Sequence, residues 1–106
     1  MRNLIYLIII FSFACNQPTE KTPITPYVMV LGVAQDAGYP QINCKKACCK
    51  RAWRNPDLKR TTSCLAIVDP ISKEQWIIDA TPNIKEQLQL LKQKTGTEKL
   101  DGILLT

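Results

Sequence analysis

The sequence predicts an α/β domain, and three observations predict it. A short β-branched apolar run begins near Tyr27, two segments of period two flank a turn after Asp69, and one helical repeat from Ile84 leads into a further apolar run. With 106 residues the chain has room for one small domain with a modest core.

Each element has its own local cause. "YVMVLGVA" is a nearly continuous apolar run ending at Gly32 and Ala34, the pattern of a strand buried on both faces. "QDAGYPQINC" carries Gly38 and Pro40 and reads as a loop leaving that strand. "CKKACCKRAW" suits about two helical turns, stopped by "NPD", where the residue before a proline is pushed out of the α region. In "TTSCLAIVD", Ser63, Leu65 and Ile67 alternate with Cys64, Ala66 and Val68. "EQWIIDA" follows a Pro70 to Lys73 turn, which predicts an antiparallel hairpin. The helix comes next, with Thr81 as N-cap and Pro82 at its first position, or with Asn83 and Glu86 as a capping box. Ile84, Leu88 and Leu91 share one face, and Gly96 ends it. "LDGILLT" is a fourth strand, and no repeat or low-complexity tract interrupts the order.

Before the domain lies a different kind of segment. "MRN" supplies positive charge, and "LIYLIIIFSFA" is too short for a span of about 20 residues but suits the apolar region of an export signal. "SFAC" resembles the lipobox of bacterial lipoproteins, with Ala14 before the cysteine and Ser12 in place of the usual leucine. The expected organisation is a signal peptide over 1–14, a tether over 15–26 ("NQPTEKTPITP" follows Cys15), and the domain over 27–106. Lipid on Cys15 would hold the protein to a membrane, on the periplasmic or outer surface of a bacterium. An ordinary signal peptide, with Cys15 incidental, is the alternative.

The formal charge of +5 is concentrated in Lys45, Lys46, Lys50, Arg51, Arg54, Lys59 and Arg60, a stretch in which Asp57 is the only acid. Such a patch is a solvated helix face or a surface for an acidic partner. It lacks the aromatic interleaving of a nucleic-acid platform, so no nucleic acid is expected.

Five cysteines are many for this length. Setting Cys15 aside leaves Cys44, Cys48, Cys49 and Cys64. Closely spaced thiolates can converge on tetrahedral zinc. No histidine exists in the chain, so a fourth ligand would be Cys64, a carboxylate or a group from elsewhere. Disulfides are the rival in an exported protein, with three pairings open, though the adjacent Cys48 and Cys49 cannot easily pair with each other. Free buried thiols are the third possibility.

"VLGVAQDAGYPQINCKKACCKRAWRNPDLKRTTSCLAIV", followed by "WIIDATPNIKEQL", resembles the N-terminal part of the pyrroloquinoline quinone biosynthesis protein B family of the metallo-β-lactamase superfamily. The agreement lies in the strand ending at Gly32, Gly38-Tyr39-Pro40-Gln41, Asn43-Cys44, Arg51-Ala52, Arg60 to Ser63 and Asp79 to Pro82, and spans about Val28 to Thr106. The resemblance implies the N-terminal part of an αββα sandwich, with mixed or antiparallel strands and one clear packing helix. It also implies a structural zinc on a Cys-x-Cys-x-x-Cys loop away from the active site. Cys44 and Cys49 match the first and last of those ligands, Lys46 stands at the middle one, and Cys48 is extra, giving Cys44, Cys48 and Cys49 as the expected set. Asp79 matches a strand-end aspartate that supports the active site, or else helps cap the following helix. In the superfamily a strand like "GILLT" leads into His-x-His-x-Asp-His, whose metal ions activate water for hydrolysis. Thr106 stands just before that point.

The expectation is therefore an N-terminal fragment of a metal-dependent hydrolase. The catalytic divalent metals and the small-molecule substrate belong to the full-length parent, and the fragment alone should be inactive. Export sits awkwardly with a cytoplasmic quinone pathway, which favours a different hydrolase. The alternative is a non-enzymatic lipoprotein whose zinc or disulfide cysteine knuckle binds an acidic partner.

Overall fold

The computed structural model describes residue 21 and residues 23–106; the expected signal peptide over 1–14, Cys15 and much of the expected tether lie outside the described residues. Among the described residues no helix is long and apolar enough to cross a membrane.

Strands β1 (Tyr27–Gly32), β2 (Cys64–Asp69), β3 (Glu74–Ile78) and β4 (Gly102–Leu104) form one sheet in chain order, with helices α1 (Ala47–Arg54) and α2 (Ile84–Thr95) between them. The first two pairings are antiparallel and β3 pairs parallel with β4. The hairpin expected between β2 and β3 is present. Its turn is closed by the Asp69 carboxylate, which accepts from the Ile71 and Ser72 amides at 2.9 and 3.4 Å. A parallel return needs a crossover, and α2 is that crossover. Where β4 begins, Asp101 clasps β3: its Oδ2 accepts from Gln75 N and its amide donates to Gln75 O, both at 2.8 Å.

The helical repeat acts as predicted. Ile84, Leu88 and Leu91 pack on one sheet face against Leu31, Cys64, Ala66, Val68 and Ile77, which form the buried core. The opposite face is also apolar. Val28, Ile67 and Trp76 form one row across the strands, and Val30, Leu65, Ile78 and Leu104 the next. Here the structure corrects the reading of β1 as buried on both faces. Val28 and Val30 are 61% and 56% exposed, because β1 is an edge strand and α2 covers only the other side of the sheet.

The start of α2 also differs from expectation. The helix begins at Ile84, two residues beyond Pro82, and Asn83 occupies the cap position without a side-chain cap bond. Its carboxamide oxygen is taken by Thr62 instead, accepting from Thr62 N and Oγ1 at 3.0 Å each. Thr81 turns the chain into the helix by accepting from the Asn83 amide at 3.0 Å. The C-terminal end is as predicted: Gly96 takes φ +76° and donates to Lys92 O at 2.8 Å, a left-handed cap that glycine adopts without a Cβ clash. Helix α1 stops at Asn55 before Pro56, with Cys49 and Ala52 inward and Lys50, Arg51 and Arg54 outward.

Candidate functional site

Because β1, β3 and β4 run the same way, their C-terminal ends meet at one edge of the sheet, together with the start of β2. The long β1–β2 connection, the β3–α2 turn and the residues after β4 all gather there. Asp79 is the first residue past β3. Its amide donates to Leu104 O at 2.7 Å, which continues the β3–β4 ladder by one bond. Its carboxylate then grips the end of the chain, Oδ1 accepting from Thr106 N at 2.8 Å and Oδ2 from Thr106 Oγ1 at 2.7 Å. These two bonds, the amide first, hold the Asp79 carboxyl below the usual aspartate range against a smaller desolvation effect. Asp79 sits at φ +68°, a left-handed conformation that aspartate tolerates better than most residues. The carboxylate serves Thr106 rather than the N-terminus of α2.

Cys64 lies beneath this grip. Its Sγ donates to Asp79 O at 3.5 Å, and burial, with the Asp79 charge second, pushes the thiol pKa up. It is held as a neutral thiol, a poor metal ligand.

The strip Arg60–Ser63 locks the β1–β2 connection to both the sheet and α2. Thr61 Oγ1 donates to Leu31 O at 2.8 Å, and Thr61 O accepts from Val33 N and Ala34 N at 3.1 and 3.0 Å. A Cβ at Gly32 would overlap the Thr62 carbonyl, so this close approach requires glycine. Thr62 in turn bonds Asn83, while Gln87, buried in α2, donates to Thr62 O at 2.6 Å and its Oε1 accepts from Thr81 Oγ1 at 2.7 Å. The sequence offered Asn83 only as a capping residue and Thr62 only within the Arg60 to Ser63 stretch, and it did not single out Gln87. The available clue was the placing of Asn83 and Gln87 one helical turn apart, beginning two residues after Thr81.

The cysteine loop lies farther along the same connection. Cys44 and Cys49 form a disulfide with their Cα atoms 6.0 Å apart, while Cys48 is free and exposed and Cys64 is free and buried. Of the expected zinc set, two members are thus brought together and Cys48 is left outside. Among the described residues no group of three or more His, Cys, Asp or Glu is placed to hold a metal ion. As arranged, the loop does not offer the four donors of a structural zinc.

No protein-family model matches the chain. Curated proteins do. The chain is 33% identical over 75 residues to coenzyme PQQ synthesis protein B of Methylorubrum populi, covering 70% of this chain and 25% of the relative. To the protein of that name from Rhodopseudomonas palustris strain BisB5 it is 36% identical over 86 residues, covering 74% of this chain and 27% of the relative. Among solved structures, Zn²⁺-bound PqqB from Methylobacterium extorquens superposes with a TM-score of 0.61 at 32% identity, over 74% of this chain and 28% of that one. The chain is homologous to PqqB. A diphosphatase of the PhnP family matches with a TM-score of 0.56 at 27% identity, over 76% of this chain and 29% of that one. The metallo-β-lactamase fold implied by the sequence is therefore the fold of this homologous segment. The chain spans about a quarter of the length of the curated PqqB relatives it matches.

Proposed function

We propose that this chain is the N-terminal scaffold of an exported, lipid-anchored, metal-dependent hydrolase of the metallo-β-lactamase fold. The observation that carries this reading is the two-pronged hold of Asp79 on Thr106, at the edge where the C-terminal strand ends converge. A hydrolase built here needs the backbone after β4 delivered in a fixed direction, and the Asp79 carboxylate does that for Thr106. The Thr62–Asn83–Gln87 ties brace the same edge from behind. Among the described residues no group of three or more His, Cys, Asp or Glu is placed to hold a metal ion, so the reading assigns this chain the bracing of the site and not its metal ligands.

The coding DNA past the Thr106 codon tests this. Histidines spaced His-x-His-x-Asp-His are expected, and the extended polypeptide should bind divalent metal and hydrolyse a small phosphorylated substrate, the class suggested by the diphosphatase neighbour. The present chain should do neither. A stop codon after Thr106, with the chain stably folded, would overturn the proposal. The anchor is tested by fatty-acid labelling in a bacterial host, with the label lost in Cys15→Ala.

One observation favours a second reading. Lys50, Arg51 and Arg54 cover the outward face of α1 and form no ion pair among the described residues. A non-enzymatic lipoprotein presenting this face to an acidic protein would show binding that weakens steeply with salt.

A further inference from the structure

We propose that the cysteine loop of this chain is a disulfide staple in place of a zinc site: Cys44 and Cys49 are joined, Cys48 stays a free thiol, and the loop binds no zinc. The disulfide goes beyond the proposed hydrolase and rests on it only for the exported location that supplies an oxidant.

Placement comes first. Cys44 and Cys49 have Cα atoms 6.0 Å apart, inside the range of about 4.4–6.8 Å that a disulfide spans. Cys48 immediately precedes Cys49 in α1, and consecutive residues on a helix point about 100° apart. Cys49 faces inward and is buried, whereas Cys48 faces solvent. The two cannot turn to one ion without unwinding the first turn. At the position between Cys44 and Cys49 where a third sulfur would sit stands Lys46, exposed and a donor only. Cys64, the remaining thiol among the described residues, is engaged with the Asp79 carbonyl.

Helix α1 shows what the staple does. Its cap position, Lys46, makes no side-chain cap bond, and its first turn holds no acid. An eight-residue helix without these aids is marginal by itself. The covalent link from Cys44 to Cys49 ties the preceding loop to that uncapped turn, where a cap would otherwise act.

Formation of the bond removes two protons and two electrons from the Cys44 and Cys49 thiols. A disulfide-bearing thiol oxidase outside the cytoplasm accepts them and becomes a dithiol.

The full chain, purified in detergent, is equilibrated with one equivalent of Zn²⁺, either in a glutathione buffer rich in glutathione disulfide or in a phosphine reductant. Bound metal and thiols are then counted and the tryptic peptides fragmented. The expected result in the oxidised sample is a link between the peptide ending at Lys45 and the peptide Ala47–Lys50, fragmentation placing it on Cys49, with no zinc retained. On reduction, zinc is still not retained in stoichiometric amount, and tryptic cleavage after Lys50, Arg51 and Arg54 accelerates. Lys46→Cys, which restores three ligand-spaced sulfurs, should gain stoichiometric zinc when reduced. One zinc per chain in the unsubstituted protein, or a link through Cys48, would overturn the proposal. Since glutathione is supplied, these outcomes do not depend on export, which the Cys15 label tests separately.

Discussion

Removing the carboxamide of Asn83 isolates the tie between α2 and the β1–β2 connection. Asn83 Oδ1 is the acceptor for two donors, Thr62 N and Thr62 Oγ1, each at 3.0 Å. In Asn83→Ala the hydroxyl can rotate toward another acceptor, but the Thr62 amide is fixed by the backbone and loses its partner in a partly buried setting. An unpaired buried donor costs about 1–3 kcal/mol, so a loss of about 2 kcal/mol is expected. For a domain of this size that lowers Tm by roughly 8–16 °C. Helix capping is not confounded with this loss, because Asn83 makes no side-chain cap bond to α2. Asn83→Asp keeps an acceptor in the same place and adds a negative charge at a helix N-terminus, where it is favourable, so it should restore most of the stability. Thermal melts followed by far-UV circular dichroism measure both. If Asn83→Ala melts with the parent, or Asn83→Asp falls as far as Asn83→Ala, the tie does not hold the two elements together.

Three further outcomes follow from packing and charge. Leu91, 1% exposed and at the centre of the α2 contact, should cost about 2–5 kcal/mol when truncated to alanine, measured by urea denaturation, whereas Leu90→Ala on the open side should cost far less. The Asp79 carboxyl is depressed by its bonds to Thr106, so the unfolded chain binds its proton at a higher pH than the folded one. Its contribution is present above the ordinary aspartate value and lost as pH falls through the lower folded value; acid titration should show this loss, and Asp79→Asn should remove that component of the pH dependence. With the disulfide intact, the exposed Cys48 should react with an aromatic disulfide reagent in the native state, and Cys64, buried and pushed up in pKa, only on unfolding.

The parts of the fold that were legible depend on local signals. The Pro70 to Lys73 turn, the Asn55-Pro56 stop and the Gly96 cap are fixed by residues adjacent in sequence, and all three lie where the pattern placed them. The face of α2 was legible for a related reason, because Ile84, Leu88 and Leu91 carry a period that only one sheet face can satisfy. What escaped was decided at long range. Asn83 looks like a capping residue until Thr62, 21 positions earlier, takes its oxygen. The burial of β1 depends on how many layers cover the sheet, which an apolar run does not encode. The pairing of Cys44 with Cys49 rather than Cys48 follows from which side of α1 faces inward: Cys49 and Ala52 are the buried residues of that helix and Cys48 is exposed.

The uncovered sheet face leads to a last prediction. A sheet with one solvated face normally alternates apolar and polar residues, yet here Val28, Val30, Ile67, Trp76 and Leu104 all project from the side opposite α2. Trp76 is 38% exposed and Val28 61%, and contiguous apolar surface of this kind marks a contact face. Val28, Val30, Ile67, Trp76 and Leu104 each keep more than a third of their surface open among the described residues, so the chain should present the face to solvent. A hydrophobic dye such as bis-ANS should bind the purified chain with enhanced fluorescence. The triple substitution Val28→Thr, Ile67→Thr and Trp76→Gln should abolish most of that signal. Because these side chains lie off the core formed with α2, the Leu91 contact should persist and the melting transition should remain. Dye binding that survives all three changes would show that the apolar surface lies elsewhere. A silent dye with a dimeric elution volume would show that two copies close the face against each other.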